Sequence, residues 1–309
     1  MMDEFNIDRP KTHVEWVLGN QCNYQCSYCH ETFRLGDKPY PSEETIINVC
    51  RDIVFHYDDL GRDVVFHFIG GEPTLSRGLS TIGQRLSNHP VDLVLRTNGS
   101  ASIEWWTDAK PYISSVVISA HKEFCSLNHL EEVITLLRDA SDSNPVNVSL
   151  LIPTTHDPAS WNWALQVRKR FQNKFQIGEL QMLYSNFGRG SNIFYPYSNE
   201  QWNQYNAFKG IPPKVNDPEL KISTGVFNKQ IELQFRPEVK FNGRTCYAGI
   251  DILTIDTTGK IWRGWCQQGG VIGSIYELPI VWPTGPIVCQ KEICGNGFDQ
   301  QARKELNSS

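Results

Sequence analysis

The sequence predicts an α/β fold, a partial (β/α)6 TIM-like barrel followed by a small C-terminal β-hairpin unit. Short apolar runs alternate with stretches of helical periodicity as far as Tyr184, and this alternation then stops. Two further apolar segments, separated by Thr257 to Gly259, follow near the C-terminus. The alternation is typical of parallel β/α units, and the last pattern is typical of a β-hairpin.

Six apolar runs rich in Val, Ile and Phe predict the barrel strands. Stretches with helical periodicity lie between most of them, so we expect the barrel domain to cover residues 1–186. The predicted strands are His13 to Leu18, Val64 to Ile69, Val91 to Leu95, Ser115 to Ser119, Val146 to Ile152 and Glu179 to Tyr184.

The clearest helix is predicted at Ser42 to Tyr57. Ser42 can cap its N-terminus, and the two glutamates that follow favour a first helical turn. Apolar residues recur on one face of this helix, and Cys50 on that face is expected in the core. Two further helices are predicted at Leu127 to Asp139 and Ala159 to Phe171.

Residues 187–241 break the alternation. They are rich in Asn, Pro, Tyr and Lys and contain one helix-like stretch, Asn199 to Phe208, which predicts a linker that wraps the barrel. A second unit is predicted at residues 242–309. Its hairpin has one strand at Ile252 to Ile255 and another at Ile261 to Trp265.

Length, charge and hydropathy narrow the functional classes. A chain of 309 residues can bury the core of a barrel and carry a smaller unit. The net charge of −5 and the lack of a basic run argue against a nucleic-acid partner. The N-terminus is acidic, with no apolar signal region, and no apolar run approaches the roughly 20 residues of a membrane span. We therefore expect a cytoplasmic protein with no membrane partner.

Seven of the nine cysteines fall into two groups. The first group, Cys22, Cys26 and Cys29, directly follows the first predicted strand. Three thiolates at this spacing can hold three irons of a cubane cluster and leave the fourth iron without a protein ligand. Without a secretory signal, metal ligation explains the spacing better than disulfides do. Taken alone, these residues also fit a zinc site with His30 as the fourth ligand.

The motifs that accompany these cysteines resemble those of the radical S-adenosylmethionine (SAM) superfamily. Tyr28 precedes the third cysteine, Gly70 to Pro73 follows the second predicted strand, and Thr97 to Gly99 follows the third. The resemblance implies a [4Fe–4S] cluster whose open iron binds SAM and reductively cleaves it to a 5′-deoxyadenosyl radical. Several motifs in the right order leave little room for the zinc alternative.

The resemblance also assigns the residues that hold SAM. They are Tyr28 near the adenine, Gly70, Gly71 and Glu72 at the amino group, Pro73 as a stiffener of that turn, and Asn98 and Ser119 at the ribose or carboxylate. Glycine is expected where a side chain would block close approach of the backbone. A turn-stabilising asparagine and a solvated strand-end serine are the alternative interpretations of the last two residues.

The second group of cysteines surrounds the predicted hairpin. Its pattern resembles twitch, a short auxiliary-cluster domain related to the larger SPASM domain, and this resemblance implies a second, auxiliary [4Fe–4S] cluster. Gly259 to Cys266 is two residues longer than is usual in that family, and the last two cysteines are farther apart. A four-cysteine zinc site is the alternative. The expected ligands are Cys246, Cys266, Cys289 and Cys294.

Three residues after the fourth predicted strand are candidates for chemistry. The thiol of Cys125 could donate a hydrogen atom to a substrate radical, as in radical SAM epimerases. His121 and Lys122 could contact the substrate or transfer a proton. An unremarkable loop position is the alternative for each.

We therefore expect an enzyme that abstracts a hydrogen atom from a small-molecule or peptide substrate, leading to dehydrogenation, cross-linking or epimerisation. It would require an electron donor such as flavodoxin or ferredoxin. About a dozen residues precede the first strand, so no fused N-terminal peptide-binding domain is expected. A non-catalytic iron–sulfur or zinc-binding protein is the alternative, but such a protein has no use for Gly70 to Pro73. An RNA-modifying enzyme is disfavoured by the acidic charge.

Overall fold

A computed structural model of the chain describes residues 9–89, 91–139, 141, 145–185, 194–210, 240–277 and 279–306. Six parallel strands, each paired with the next, form the predicted partial barrel. Each of the six predicted barrel strands agrees with the observed strand to within two residues at either end. The strands are β1 Lys11–Val17, β2 Asp63–Ile69, β3 Val91–Thr97, β4 Ser115–Ser119, β5 Asn147–Thr154 and β6 Glu179–Met182.

Helices cover the outer face of this sheet. The longest predicted helix is confirmed, because the Ser42 side chain accepts a hydrogen bond from the backbone N–H of Thr45, and Cys50 is fully buried. In the described part of the chain, no helix has the length and apolar character of a membrane span. The helices are α1 Glu43–Asp59, α2 Leu79–Leu86, α3 Ile103–Ala109, α4 Leu127–Leu137, α5 Pro158–Phe175 and α6 Asn199–Phe208.

The predicted hairpin forms, and it extends the barrel sheet. Its first strand, β8 (Ile252–Ile255), pairs in parallel with β1, so the sheet crosses the domain boundary predicted at residue 242. Strands β9 (Lys260–Trp262) and β10 (Val271–Ser274) then add antiparallel edges, which gives nine strands in the order β10-β9-β8-β1-β2-β3-β4-β5-β6. A separate three-stranded sheet consists of β7 Thr245–Cys246, β11 Ile287–Val288 and β12 Lys304–Glu305.

Much of the predicted linker, residues 186–193 and 211–239, lies outside the described residues, so its boundaries stay a prediction. Within residues 194–210, Tyr197 and Tyr205 are buried in the barrel core. Tyr197 is buried, and its hydroxyl oxygen lies 2.6 Å from the carbonyl oxygen of Thr154 and 2.8 Å from the backbone nitrogen of Leu183. This side chain therefore joins the ends of β5 and β6, and α6 follows it along the chain.

Strand periodicity separates an apolar outer face from a more polar interior. Val14 and Trp16 of β1 are fully buried in the main apolar core, and Glu15 between them faces inward. The parallel register places Val17 opposite Ile69, and Glu15 opposite His67. The barrel interior therefore carries ionisable side chains below the C-terminal ends of the strands.

A buried ion pair fastens the C-terminal unit to the start of the barrel. Asp251 is 6 % exposed, and its carboxylate accepts hydrogen bonds from Arg62 at 3.1 Å and from Nε of Arg303 at 2.9 Å. Arg62 also donates to the hydroxyl of Thr12 and to the carbonyl of Lys11. One carboxylate therefore joins β1, the residue before β2 and the chain near the C-terminus.

We predict that Asp251→Ala lowers the free energy of unfolding by about 3–5 kcal/mol, because it leaves the buried Arg62 guanidinium without a counter-charge. Urea denaturation of the purified protein measures this loss. The control is Asp108→Ala, since Asp108 is exposed on α3. A loss no larger than the control's would contradict the structural role of this pair.

Candidate active site

One cavity of about 320 Å³ lies at the C-terminal ends of the barrel strands. Ligands of parallel α/β barrels bind at this end, because the loops that follow the strands meet there. Nine of the residues predicted from the sequence line the cavity. They are Cys22, Cys26, Cys29, Tyr28, Gly70, Gly71, Asn98, Ser119 and His121.

Polar contacts hold the cysteine loop in place. Asn20 is buried, and its side-chain amide donates to the Thr32 carbonyl at 2.9 Å and to the Asp37 carboxylate at 2.7 Å. Its amide oxygen accepts from the backbone N–H of Lys38. Arg34 donates to the carbonyl of Cys29 at 3.1 Å. Hydrogen bonds between residues of the loop therefore hold its two ends together.

The glycine pair after β2 packs directly against this loop. A Cβ on Gly71 would lie 2.2 Å from the carbonyl oxygen of Gln21, and one on Gly70 would lie 2.6 Å from that of Gly19. The backbone N–H groups of Gly71 and Glu72 donate to those same two carbonyls, at 3.0 Å and 2.8 Å. The glycines are thus required by the cysteine loop itself, a reason separate from the expected approach of SAM.

Glu72 points away from the cavity. Its fully buried carboxylate accepts from the hydroxyl of Thr97 and from the backbone N–H of Asn98, both at 2.7 Å, and also from Thr74. Burial raises the pKa of Glu72, and these hydrogen bonds oppose that rise. Pro73 is buried in the short 3-10 helix that Glu72 caps. The predicted contact of Glu72 with SAM stays a prediction.

The loop after β4 closes the other side of the cysteine loop. The backbone N–H and the hydroxyl of Ser27 donate to the carboxylate of Glu123, the hydroxyl at 2.7 Å. The phenol of Tyr28 forms a short hydrogen bond with Nδ1 of His121. Burial lowers the pKa of His121 to about 4, so its imidazole is neutral at pH 7. Glu123 carries no motif that would have identified it from the sequence.

The other predicted residues divide between the cavity and its surroundings. Asn98 lines the cavity, yet its side chain also donates to Asn23 and accepts from the backbone of Ser100, which is the turn-stabilising arrangement. Cys125 packs against the apolar core instead of lining the cavity, and burial raises its pKa to about 11. Lys122 is exposed outside the cavity. Catalytic roles for Cys125 and Lys122 stay predictions.

The zinc alternative for the three thiols takes His30 as its fourth ligand. In the described residues, no three His, Cys, Asp or Glu side chains are placed to ligate one metal ion. The Nδ1 atom of His30 lies 2.8 Å from the hydroxyl of Thr32 and accepts from its backbone N–H, so the ring caps a short helix. A single zinc ion needs its donors to converge on one point, whereas a cubane takes each thiolate at a separate iron.

The structure also brings the second group of cysteines together. Cys246, Cys289 and Cys294 share a small apolar cluster, and burial raises the pKa of Cys294 to about 12. Burial raises the pKa of Cys266, and the charges of Asp299, Cys246 and Cys289 raise it further. The buried carboxylate of Asp299 accepts from the backbone N–H of Cys266 at 2.7 Å. Sequence motifs did not identify Asp299.

A contact within the barrel links the two cysteine groups. The indole Nε1 of Trp265, the neighbour of Cys266, donates to the carboxylate of Glu15 at 2.6 Å. Glu15 is 8 % exposed and faces inward from β1, one inward position below Val17 of the cavity wall. The C-terminal unit therefore reaches the interior of the barrel directly below the cavity.

Sequence comparison matches residues 16–154 to the family model of the Radical SAM superfamily. A probable GTP 3′,8-cyclase of Pyrococcus horikoshii is 34 % identical over 100 residues, which are 32 % of this chain and 30 % of that protein. A probable GTP 3′,8-cyclase of Thermococcus kodakarensis is 28 % identical over 47 % of this chain and 48 % of its own. The chain thus matches less than half of the length of either relative.

Solved structures share the architecture at low identity. The crystal structure of Streptococcus suis SuiB bound to precursor peptide SuiA superposes with a TM-score of 0.54 at 12 % identity, over 88 % of this chain and 63 % of that one. Native anSMEcpe with bound AdoMet and Cp18Cys peptide gives 0.52 at 16 % identity, over 87 % and 78 %. Both likenesses concern the fold. The assignment of residues 16–154 to the Radical SAM superfamily rests on the family match.

Proposed function

We propose that this protein is an enzyme that binds a [4Fe–4S] cluster at Cys22, Cys26 and Cys29 and binds SAM in the adjoining cavity. When bound, the two groups supply reductive cleavage of SAM to a 5′-deoxyadenosyl radical, which abstracts a hydrogen atom from the substrate. One observation carries the proposal: the three thiols of one loop line the same cavity as Gly70 and Asn98.

A neutral histidine and an aromatic ring form part of the cavity wall beside the proposed SAM site. His121 is neutral at pH 7, so it adds no positive charge beside the sulfonium of SAM. Tyr24 stacks on Phe124 with ring centroids 5.3 Å apart, and its ring lines the cavity. Aromatic walls of this kind exclude water, which strengthens polar contacts inside and protects a reactive radical.

As part of the same proposal, Cys246, Cys266, Cys289 and Cys294 hold an auxiliary [4Fe–4S] cluster. The burial of Cys246, Cys289 and Cys294 in one cluster supports this assignment, and the contact of Trp265 with Glu15 brings the neighbouring Cys266 next to the barrel interior. With four protein ligands no iron is left open, which favours electron transfer over binding of the substrate. A four-cysteine zinc site is the competing assignment for these residues.

The remaining partners are also part of this proposal. The substrate is a small molecule or a peptide, and not a nucleic acid, given the net charge of −5. An electron donor such as flavodoxin or ferredoxin reduces the first cluster. Sites built on free thiols need a reducing compartment, and we therefore place the protein in the cytoplasm.

Formation of 5′-deoxyadenosine tests the central claim. We expect that anaerobically reconstituted protein contains about eight irons and that Cys22→Ala/Cys26→Ala/Cys29→Ala leaves about four and forms no 5′-deoxyadenosine from SAM with dithionite. Iron analysis and chromatography of the nucleoside measure both. A wild-type protein that binds metal yet forms no 5′-deoxyadenosine would favour the non-catalytic iron–sulfur or zinc-binding alternative.

Removing a ligand from the second site should lower the iron content but leave the cleavage of SAM intact. Cys266→Ala should lose about four irons yet keep 5′-deoxyadenosine formation within about twofold of wild type under chemical reduction, because the first cysteine loop is untouched. Zinc at this site after anaerobic purification, or unchanged iron content in Cys266→Ala, would contradict the auxiliary cluster.

The glycine contact predicts a further loss. Gly71→Ala should reduce iron incorporation at the first site, leaving about four irons, since its Cβ would displace the Gln21 carbonyl and with it the cysteine loop. Gly285→Ala is the control, because a Cβ there meets no atom within 4 Å. Equal iron content in the two variants would show that the loop does not depend on this contact.

A further inference from the structure

Arg96 is the one side chain among the described residues lining the cavity that carries a permanent charge. The other lining residues are cysteines, glycines, aromatic or aliphatic side chains, neutral polar groups and the neutral His121. Arg96 lies on β3 between Leu95 and Thr97, both of which are buried on the opposite face. Strand alternation therefore directs Arg96 into the barrel, where its side chain is exposed to the open cavity.

This guanidinium lacks a partner within the described part of the chain. It makes no hydrogen bond there, and no carboxylate oxygen lies within 4.0 Å of it. Its charge lowers the pKa of Glu15 against the larger effect of burial, but the Glu15 carboxylate is already bonded to Trp265. Two other cations, by contrast, have carboxylate partners: Arg62 pairs with Asp251 at 3.1 Å, and Lys209 pairs with Glu179 at 2.7 Å.

Gln181 provides a neutral polar group on another wall of the same cavity. It lies on β6, opposite Pro153 of β5, and its amide makes no hydrogen bond to the residues that the structure describes. The cysteine loop and the glycine pair follow β1 and β2, so they form a different wall. The cavity thus carries, on strands other than β1 and β2, a guanidinium and an amide that have no hydrogen bond to the described residues.

We infer that Arg96 is the substrate-recognition residue of this enzyme and binds a carboxylate or phosphate group of the substrate, with Gln181 as a second donor. The inference rests on the proposed function and adds the chemical class of the substrate. A guanidinium presents a planar fork of N–H donors that matches such oxyanions with two parallel hydrogen bonds. No described residue accepts a hydrogen bond from those donors, so they can bind an anion that displaces water from them.

SAM itself carries a carboxylate, and the same guanidinium could bind that group. An anionic group of the substrate and the carboxylate of SAM predict different results for an Arg96 variant. If the anion belongs to the substrate, binding of SAM does not depend on Arg96. If it belongs to SAM, the affinity for SAM falls with the guanidinium.

The experiment uses the full-length, anaerobically reconstituted protein with saturating SAM. Inorganic phosphate, pyrophosphate and acetate are titrated by calorimetry at low ionic strength. We expect Arg96→Met to weaken binding of at least one of these anions by tenfold or more, and Arg96→Lys to weaken it less. Arg77→Met is the matched control, since Arg77 is exposed outside the cavity, and it should stay within twofold of wild type. Circular dichroism confirms that each variant is folded.

A second measurement assigns the anion to its source. Affinity for SAM, measured by calorimetry without added anion, should stay within twofold of wild type in Arg96→Met. A tenfold loss of affinity for SAM would overturn the assignment to the substrate, and so would unchanged anion binding in Arg96→Met or the absence of anion binding in wild type. Wild-type protein that forms no 5′-deoxyadenosine would instead defeat the proposed function, while calorimetry still decides whether Arg96 binds anions.

Discussion

The candidate site depends on close contact between two stretches of backbone. The cysteine loop between β1 and α1 contains one short 3-10 helix, and contacts from outside the loop add to the hydrogen bonds within it. Gly70 and Gly71 supply that support, because their lack of side chains lets two N–H groups reach the carbonyls of Gly19 and Gln21. The hydroxyl of Tyr40 lies within 2.7 Å of the carbonyls of Gln21 and Glu72, which joins the same two segments again. The positions of the thiols follow from this contact.

Glu72 connects the loop after β2 to the end of β3. Burying a carboxylate is costly unless its oxygens are hydrogen-bonded, and here Thr74, Thr97 and Asn98 supply the donors. The loops after β1, β2 and β3 are therefore one connected body. Glu123 adds the loop after β4 through Ser27. The walls of the cavity after these four strands are therefore held together by side-chain and backbone hydrogen bonds.

The strands and the motif residues could be predicted because their signals are local. An apolar run identifies a buried strand, and loops at the C-terminal strand ends must meet, so three cysteines and two glycines far apart in sequence could be assigned to one cavity. Arg96 and Glu15 could not be identified in this way, since inward direction depends on strand register. The contact of Glu15 with Trp265 joins residues at opposite ends of the chain, and composition or periodicity carries no record of it.

The same contact decides how the C-terminal unit relates to the barrel. The sequence suggested a separate small domain, because the alternation of strands and helices stops before it begins. The backbone of β8 nevertheless pairs with β1, and the side chain of Trp265 enters the barrel to meet Glu15. Moving the second cysteine group away from the cavity would require breaking both the sheet and a hydrogen bond at a buried carboxylate. The separation of the two cysteine groups is therefore fixed by the sheet.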